Sequence, residues 1–173
     1  LEPSEVNLLS FEVGGRLGRI GLDVGERVNA GQLLAELEPE QFDTVIENRR
    51  AAVEEVTATL AQAEDDLVRS QALLDSGTIT VVRRDEDATA AAQARAQLTQ
   101  AEQNRSAAEQ DLADSKLFSP FDGIVDALEV DSFATVSAGQ TILSLYQQEE
   151  YEVSFSVSFD VISRLVVGTP ATV

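Results

Sequence analysis

Two long runs of apolar and small residues at heptad spacing constrain the fold of this chain most strongly. In both runs the repeating positions are separated by alternating steps of three and four residues, which keeps one stripe of a helix facing a partner helix. The first run comprises Phe42, Ile46, Arg49, Val53, Val56, Leu60, Ala63, Leu67, Ser70 and Leu74. The second run comprises Ala91, Ala94, Leu98, Ala101, Arg105, Ala108, Leu112 and Ser115. The spacing therefore predicts two long helices that pack along these stripes.

The two runs are separated by a short polar segment, residues 75–78. It contains Gly77, which can adopt the left-handed backbone conformation that ends a helix. A break of this kind favours two antiparallel helices over one continuous rod. Residues 39–117 are thus predicted to form an α-helical hairpin, and its alanine-rich stripes allow a close approach of the two helices.

The sequences that flank the hairpin repeat each other at an offset of 108 residues. The aligned pairs are Gly15 with Gly123, Val28 with Val136, and Ala30-Gly31-Gln32 with Ala138-Gly139-Gln140. Both segments consist of short alternating stretches with glycine-containing turns, which is typical of a β-sandwich. Each unit is too small to bury its own apolar face, so the two are expected to pack together as one domain, with both valines buried at the shared interface of the two halves.

The repeat makes the hairpin an insertion into one β-sandwich formed by residues 10–38 and residues 118–147. After this sandwich, apolar and polar residues alternate from Tyr151 to Val157, as in a half-buried strand. This pattern predicts part of a β-barrel domain in residues 148–173, completed by residues 1–9. The predicted fold class is α+β.

Charge and composition exclude several classes of function. The chain has 12 basic and 31 acidic residues, a net charge of −19, which argues against binding to nucleic acid or to an anionic membrane surface. It has no cysteine and no histidine, which removes thiolate metal sites and the commonest catalytic base. No catalytic, cofactor-binding or metal site is predicted, and we do not expect an enzyme. The sequence contains no methionine, so we interpret it as a fragment whose membrane anchor or export signal could lie upstream.

Three stretches of the chain resemble parts of a known family. Residues 25–34 are similar to the first half-motif of a lipoyl or biotinyl domain, and residues 119–125 with residues 136–140 are similar to the second. Residues 155–173 resemble the opening of a β-barrel domain. With a long hairpin inserted between the half-motifs, this order resembles the periplasmic adaptor, or membrane fusion protein, family of bacterial efflux and secretion systems, which is HlyD-like.

The resemblance implies a function in transport. Members of the family link an inner-membrane transporter to an outer-membrane channel, with several copies of the adaptor in a ring. It also implies a periplasmic location and an inner-membrane anchor outside this sequence. The class of transporter, whether resistance-nodulation-division (RND), ABC or another, is left open.

The same resemblance assigns three residues at the hairpin tip to docking on the channel: Arg69, Leu73 and Thr80. Thr80 replaces the family's serine but keeps a hydroxyl that can cap the second helix. A purely structural interpretation remains open, in which Arg69 pairs with Asp65 or Asp66 and Leu73 makes an ordinary hairpin contact. The four residues after Thr80, Val81-Val82-Arg83-Arg84, are not typical of the family.

Two alternative functions remain open at the level of sequence. A lipoyl or biotinyl carrier would need an acceptor lysine at the turn between the half-motifs. The one lysine of the chain, Lys116, is instead predicted at the end of the second helix, where its charge would complement the helix dipole. The second alternative is a purely structural coiled-coil protein, which would not require the repeat to form one sandwich.

Overall fold

The computed structural model describes residues 2–3, 6–147 and 151–152. In chain order its strands and helices are β1 (Glu2–Pro3), β2 (Val6–Ser10), β3 (Gly15–Arg16), β4 (Arg27–Val28), β5 (Leu33–Glu36), α1 (Glu40–Asp75), α2 (Val81–Asp114), β6 (Lys116–Phe118), β7 (Gly123–Leu128), β8 (Thr135–Val136), β9 (Thr141–Tyr146) and β10 (Tyr151–Glu152). Most of the predicted barrel, residues 148–150 and 153–173, lies outside the described residues.

The strands of both flanking segments form one sandwich. A four-stranded antiparallel sheet has the order β2-β9-β7-β4, and two-stranded antiparallel sheets form between β3 and β8 and between β5 and β6. A further pair joins β1 to β10. The prediction of an α+β fold, with a sandwich built from two halves of the sequence and an inserted helical hairpin, is confirmed.

Strand pairing repeats at the offset of 108 residues. Gly15 pairs with Val136, as Gly123 pairs with Val28, and Ala35 pairs with Leu117, as Leu143 pairs with Leu9. Each of these four pairs joins a strand before the hairpin to a strand after it, so neither half can close its core alone.

The core consists of two apolar clusters, and most residues of one cluster correspond to residues of the other at the offset of 108. The buried members of the first are Phe11, Leu17, Ala35, Leu37, Leu117, Val136 and Ile142. Those of the second are Leu22, Val28, Leu34, Val125, Leu143 and Leu145. Val28 and Val136 are both buried, as predicted, but each belongs to its own cluster. Each cluster combines side chains from both halves, so each valine packs against the partner half.

The hairpin follows the predicted stripes closely. Every position of the two heptad runs is buried or half-buried except Arg49, which is exposed. On α2 the stripe continues toward the tip beyond the predicted start at Ala91, since Arg84 and Asp87 are half-buried at the same stepping. The hairpin thus packs along its full length, although few of its side chains are completely buried.

Two predicted boundaries differ from the structure. The second helix ends at Asp114, because Leu117 enters the first core cluster and β6 pairs with β5. Lys116 therefore lies on a strand, with its Nζ 3.5 Å from Glu36 Oε1, rather than at a helix end. Residues 6–9, predicted to belong to the barrel, form most of β2 and pair with β9 in the sandwich sheet. The other predicted domain boundaries stay predictions.

Candidate docking surface at the hairpin tip

The tip is a tight connection between α1 and α2 that is held by backbone hydrogen bonds. Gly77 has a φ of +73°, in the left-handed region that the sequence predicts for it. Its N–H donates to the carbonyl of Leu74 at 2.8 Å, and the N–H of Thr78 donates to the carbonyl of Leu73 at 2.8 Å. This pair of bonds is the Schellman arrangement, which satisfies the last carbonyls of α1 and fixes where the chain reverses.

Thr80 is the N-cap of α2. Its backbone is extended, and its Oγ1 accepts a hydrogen bond from the N–H of Arg83 at 3.3 Å. The capping role that the sequence predicts for this hydroxyl is therefore confirmed. One lone pair of the hydroxyl remains for a further donor, because a hydroxyl oxygen can accept two hydrogen bonds.

Arg69 forms an ion pair with Asp66, one turn earlier on α1. The other oxygen of the Asp66 carboxylate accepts a hydrogen bond from Gln62 Nε2 at 3.1 Å. The hydrogen bonds from Gln62 and Arg69 hold the pKa of the Asp66 carboxyl below its usual range, and the charges of Arg69 and Arg83 contribute to the same shift. Both partners of the ion pair are exposed, so the pair contributes little to stability but limits the orientations of the guanidinium.

Leu73 lies one turn beyond Arg69 on α1, and its side chain is exposed. Residues four apart on a helix share a face, so Arg69 and Leu73 lie on the same side of the tip. Arg69 and Leu73 thus lie near the C-terminal end of α1, and Thr80 is the N-cap of α2 on the other side of the chain reversal.

The tip also exposes apolar side chains that were not predicted as site residues. Val81 and Val82, the first two residues of α2, are 55% and 67% exposed. The signal that could have identified them is in the sequence, because they follow the cap residue and lie outside the heptad stripe. Arg84, two residues later, is half-buried and lines a shallow surface pocket with Leu67, Val68, Ala72 and Ala88.

The described residues contain no cluster of three or more His, Cys, Asp or Glu side chains that could hold a metal ion. In the same part of the chain, no helix has the length and apolar character that crossing a membrane requires. Lys116, the residue that a carrier domain would have to modify, pairs with Glu36 on the β5–β6 sheet, and the hairpin occupies the turn between the two halves. This placement does not favour a lipoyl or biotinyl carrier.

Comparison with known proteins agrees with the fold and the hairpin insertion. The model of the barrel-sandwich hybrid domain of RND membrane fusion proteins matches residues 6–147. The multidrug resistance protein MdtA of Pantoea ananatis is 29% identical over 156 residues, which cover 89% of this chain and 38% of MdtA. This chain therefore spans about two fifths of the length of that relative.

Two solved structures show the same fold. The structure of MacA from Actinobacillus actinomycetemcomitans aligns with a TM-score of 0.60 and 23% identity, over 84% of this chain and 50% of MacA. The membrane fusion protein Spr0693 from Streptococcus pneumoniae R6 aligns with a TM-score of 0.65 and 19% identity, over 96% of this chain and 70% of Spr0693.

Proposed function

Because the chain belongs to the RND membrane fusion protein family, we propose that it is part of an adaptor subunit of a tripartite efflux system. In this role it links an inner-membrane transporter to an outer-membrane channel across the periplasm. The name of its family favours a transporter of the RND class. The role is one of binding and spanning, without catalysis or a cofactor.

The observation that carries this proposal is the long hairpin that leaves the sandwich and returns to it. The helices contain 36 and 34 residues, and at 1.5 Å per residue they reach roughly 50 Å. At the base, the N–H of Leu37 donates to the carbonyl of Ser115 at 2.9 Å, so the outgoing and returning chains are fastened to each other. A hairpin anchored in this way can hold its tip at a fixed distance from the sandwich.

We place the contact with the channel at the tip, on Arg69, Leu73 and Thr80. Arg69 supplies a fork of donors for a carboxylate or a backbone carbonyl of the partner. Leu73 supplies an exposed apolar side chain, and Thr80 supplies a hydroxyl at the start of α2. The ion pair with Asp66 holds Arg69 in place before docking, which lowers the entropy that docking would otherwise cost.

The assembly that this function requires contains several copies of the chain in a ring around the transport path. We assign it to the periplasm, with an anchor to the inner membrane in a part of the protein outside this sequence. The length of MdtA that this chain does not cover leaves room for such a segment and for contacts to the transporter.

The double variant Arg69→Asp with Leu73→Ser tests the docking role. The full-length protein with these two substitutions is expected to fold and reach the periplasm. It should nevertheless leave a deletion strain as susceptible to the exported compounds as the empty vector does. Interface energy concentrates in a few residues, so loss of two tip contacts should abolish assembly. The measurements are the susceptibility of the strain and the melting temperature of the purified variant.

A matched control lies near the base of the same helix. Arg50 forms an ion pair with Glu47 at the same spacing as Arg69 with Asp66, and Val45 is 42% exposed. The control variant Arg50→Asp with Val45→Ser should restore normal resistance. If the tip variant restores resistance equally well, the tip has no part in docking. If it loses resistance together with a lowered melting temperature, its residues are structural.

A further inference from the structure

The first turn of α2 conflicts with the rules that stabilise a helix start. After the cap Thr80 come Val81-Val82-Arg83-Arg84, and the turn contains no acidic residue. Valine lowers helix propensity, and an arginine near the positive end of the helix dipole is unfavourable. The first turn of α1 obeys the rule, since it contains Glu40 and Asp43. In a chain with 31 acidic and 12 basic residues, this local choice is not explained by composition.

Packing within the chain does not explain the two valines either. They are 55% and 67% exposed, and the stripe that faces α1 begins only at Arg84. The arginines are partly compensated, because Arg83 lies 3.3 Å from Glu86 and 3.2 Å from Asp87. No such compensation exists for an apolar side chain in water. Positions that break local rules without a gain in folding are expected where a chain binds a partner.

We propose that Val81 and Val82 form a second part of the docking surface, continuous with Thr80, and insert into an apolar groove of the outer-membrane channel. This inference rests on the function proposed above, and it extends the docking surface from Arg69, Leu73 and Thr80 to the two valines that follow Thr80. Residues 75–87 contain four acidic and two basic residues, and Arg83 and Arg84 each pair with a neighbouring carboxylate, so the matching groove carries basic or neutral groups rather than carboxylates at its rim. A second copy of the chain is a poorer partner at this place, because tip-to-tip contact would bring two tips of net negative charge together.

Alanine substitution tests the proposal without weakening the helix. Alanine has a higher helix propensity than valine, so Val81→Ala with Val82→Ala should leave the melting temperature unchanged or raise it. Truncation of two interface side chains should still reduce the yield of channel that copurifies with the tagged full-length protein from its native host, by about tenfold. A variant that is more stable but binds less channel cannot be explained by a purely structural role of the two valines.

The matched control is the variant Val45→Ala with Val68→Ala, because these valines are 42% and 69% exposed on α1. It makes the same chemical change on the same hairpin and should copurify the channel at the normal yield. A photocrosslinking residue at position 82 should capture the channel, and one at position 45, near the base of the hairpin, should not.

Equal yields from the two alanine variants would overturn the inference, and so would crosslinks from position 82 to a second copy of the chain or to an inner-membrane protein. The outcome for Arg69→Asp with Leu73→Ser separates the two proposals. If that variant also copurifies the channel normally, the proposed docking at the tip is at fault. If it does not, while the alanine variant at positions 81 and 82 does, only this extension is wrong.

Discussion

The two halves of the sandwich make the same turn with different residues. Gly25 in the first half has a φ of +88°, and Phe133, its counterpart at the offset of 108, has a φ of +67° and is 55% exposed. The next turn is more uniform, since Gly31 and Gly139 have φ values of +77° and +75°. A phenylalanine in the left-handed region is costly, yet the backbone is preserved. Strand pairing, rather than the residue at the turn, therefore sets the backbone geometry.

The largest expected effect concerns Val28 and Val136, which occupy equivalent positions in the two halves and are both buried. Val28→Asp and Val136→Asp each place a carboxylate in a dry apolar cluster, so each should lower the free energy of unfolding by about 3 kcal/mol or more. The two losses of stability should be similar, because Val28 and Val136 occupy corresponding places in the two clusters. Urea denaturation, followed by circular dichroism, measures both.

Val24→Asp is the control for this pair, because Val24 is 62% exposed in the same half of the sandwich as Val28. Exposed substitutions of this kind usually change stability by about 0.5 kcal/mol or less. Core variants that unfold at the same urea concentration as this control would contradict a core shared by the two halves.

The parts of the fold that could be predicted from sequence depend on periodicity or on repetition. The helical stripes were predictable because positions such as Ile46 and Ala94 recur at heptad spacing, and both are buried. The sandwich was predictable because a repeat of two incomplete units implies mutual packing. What sequence did not reveal was that Val28 and Val136 lie in separate clusters, which depends on which strands pair across the domain.

The boundaries could not be predicted because tertiary contacts decide them. Nothing in the local pattern around Ser115 stops α2, but Leu117 gains burial by joining the core opposite Ala35. At the tip, the sequence offered both Asp65 and Asp66 as partners for Arg69, and side-chain geometry selects Asp66. The docking role of the tip residues stays a prediction, since it concerns a partner outside the chain.

A smaller effect is expected at the turn where the halves differ. Gly25→Ala should lower the free energy of unfolding by about 1 kcal/mol, because alanine resists a positive φ and nothing lies within 4 Å to reward its methyl group. At Phe133 both Phe133→Gly and Phe133→Ala remove the aromatic ring, so their difference isolates the backbone. The glycine variant should be more stable by about 1 kcal/mol, the reverse of the order in a helix.

Thermal or urea denaturation of these variants checks the comparison. Gly21→Ala is a useful reference, since Gly21 also has open space around its Cβ position but no positive φ. If Phe133→Ala is as stable as Phe133→Gly, the left-handed conformation costs nothing at this turn, and the contrast between the two halves loses its energetic meaning.

The smallest expected effect concerns two glutamines that fasten equivalent loops. Gln32 Oε1 accepts from the N–H of Asn29 at 3.0 Å, and Gln140 Oε1 accepts from the N–H of Ser137 at 3.1 Å. The first loop has an additional bond, because the N–H of Ala30 donates to Asp122 Oδ1 at 2.6 Å. At the offset of 108, Gly14 replaces Asp122 and has no side chain to accept such a bond.

The loops should therefore respond unequally to the same substitution. Gln140→Ala should cost about 1 kcal/mol, within the usual net value of a hydrogen bond, whereas Gln32→Ala should cost about 0.5 kcal/mol because Asp122 still holds its loop. Hydrogen exchange of the Ser137 and Asn29 amides resolves the difference more directly than global unfolding. With Asp122→Ala added, Gln32→Ala should become as costly as Gln140→Ala. If the two glutamines remain unequal in that background, the carboxylate is not the cause of the asymmetry.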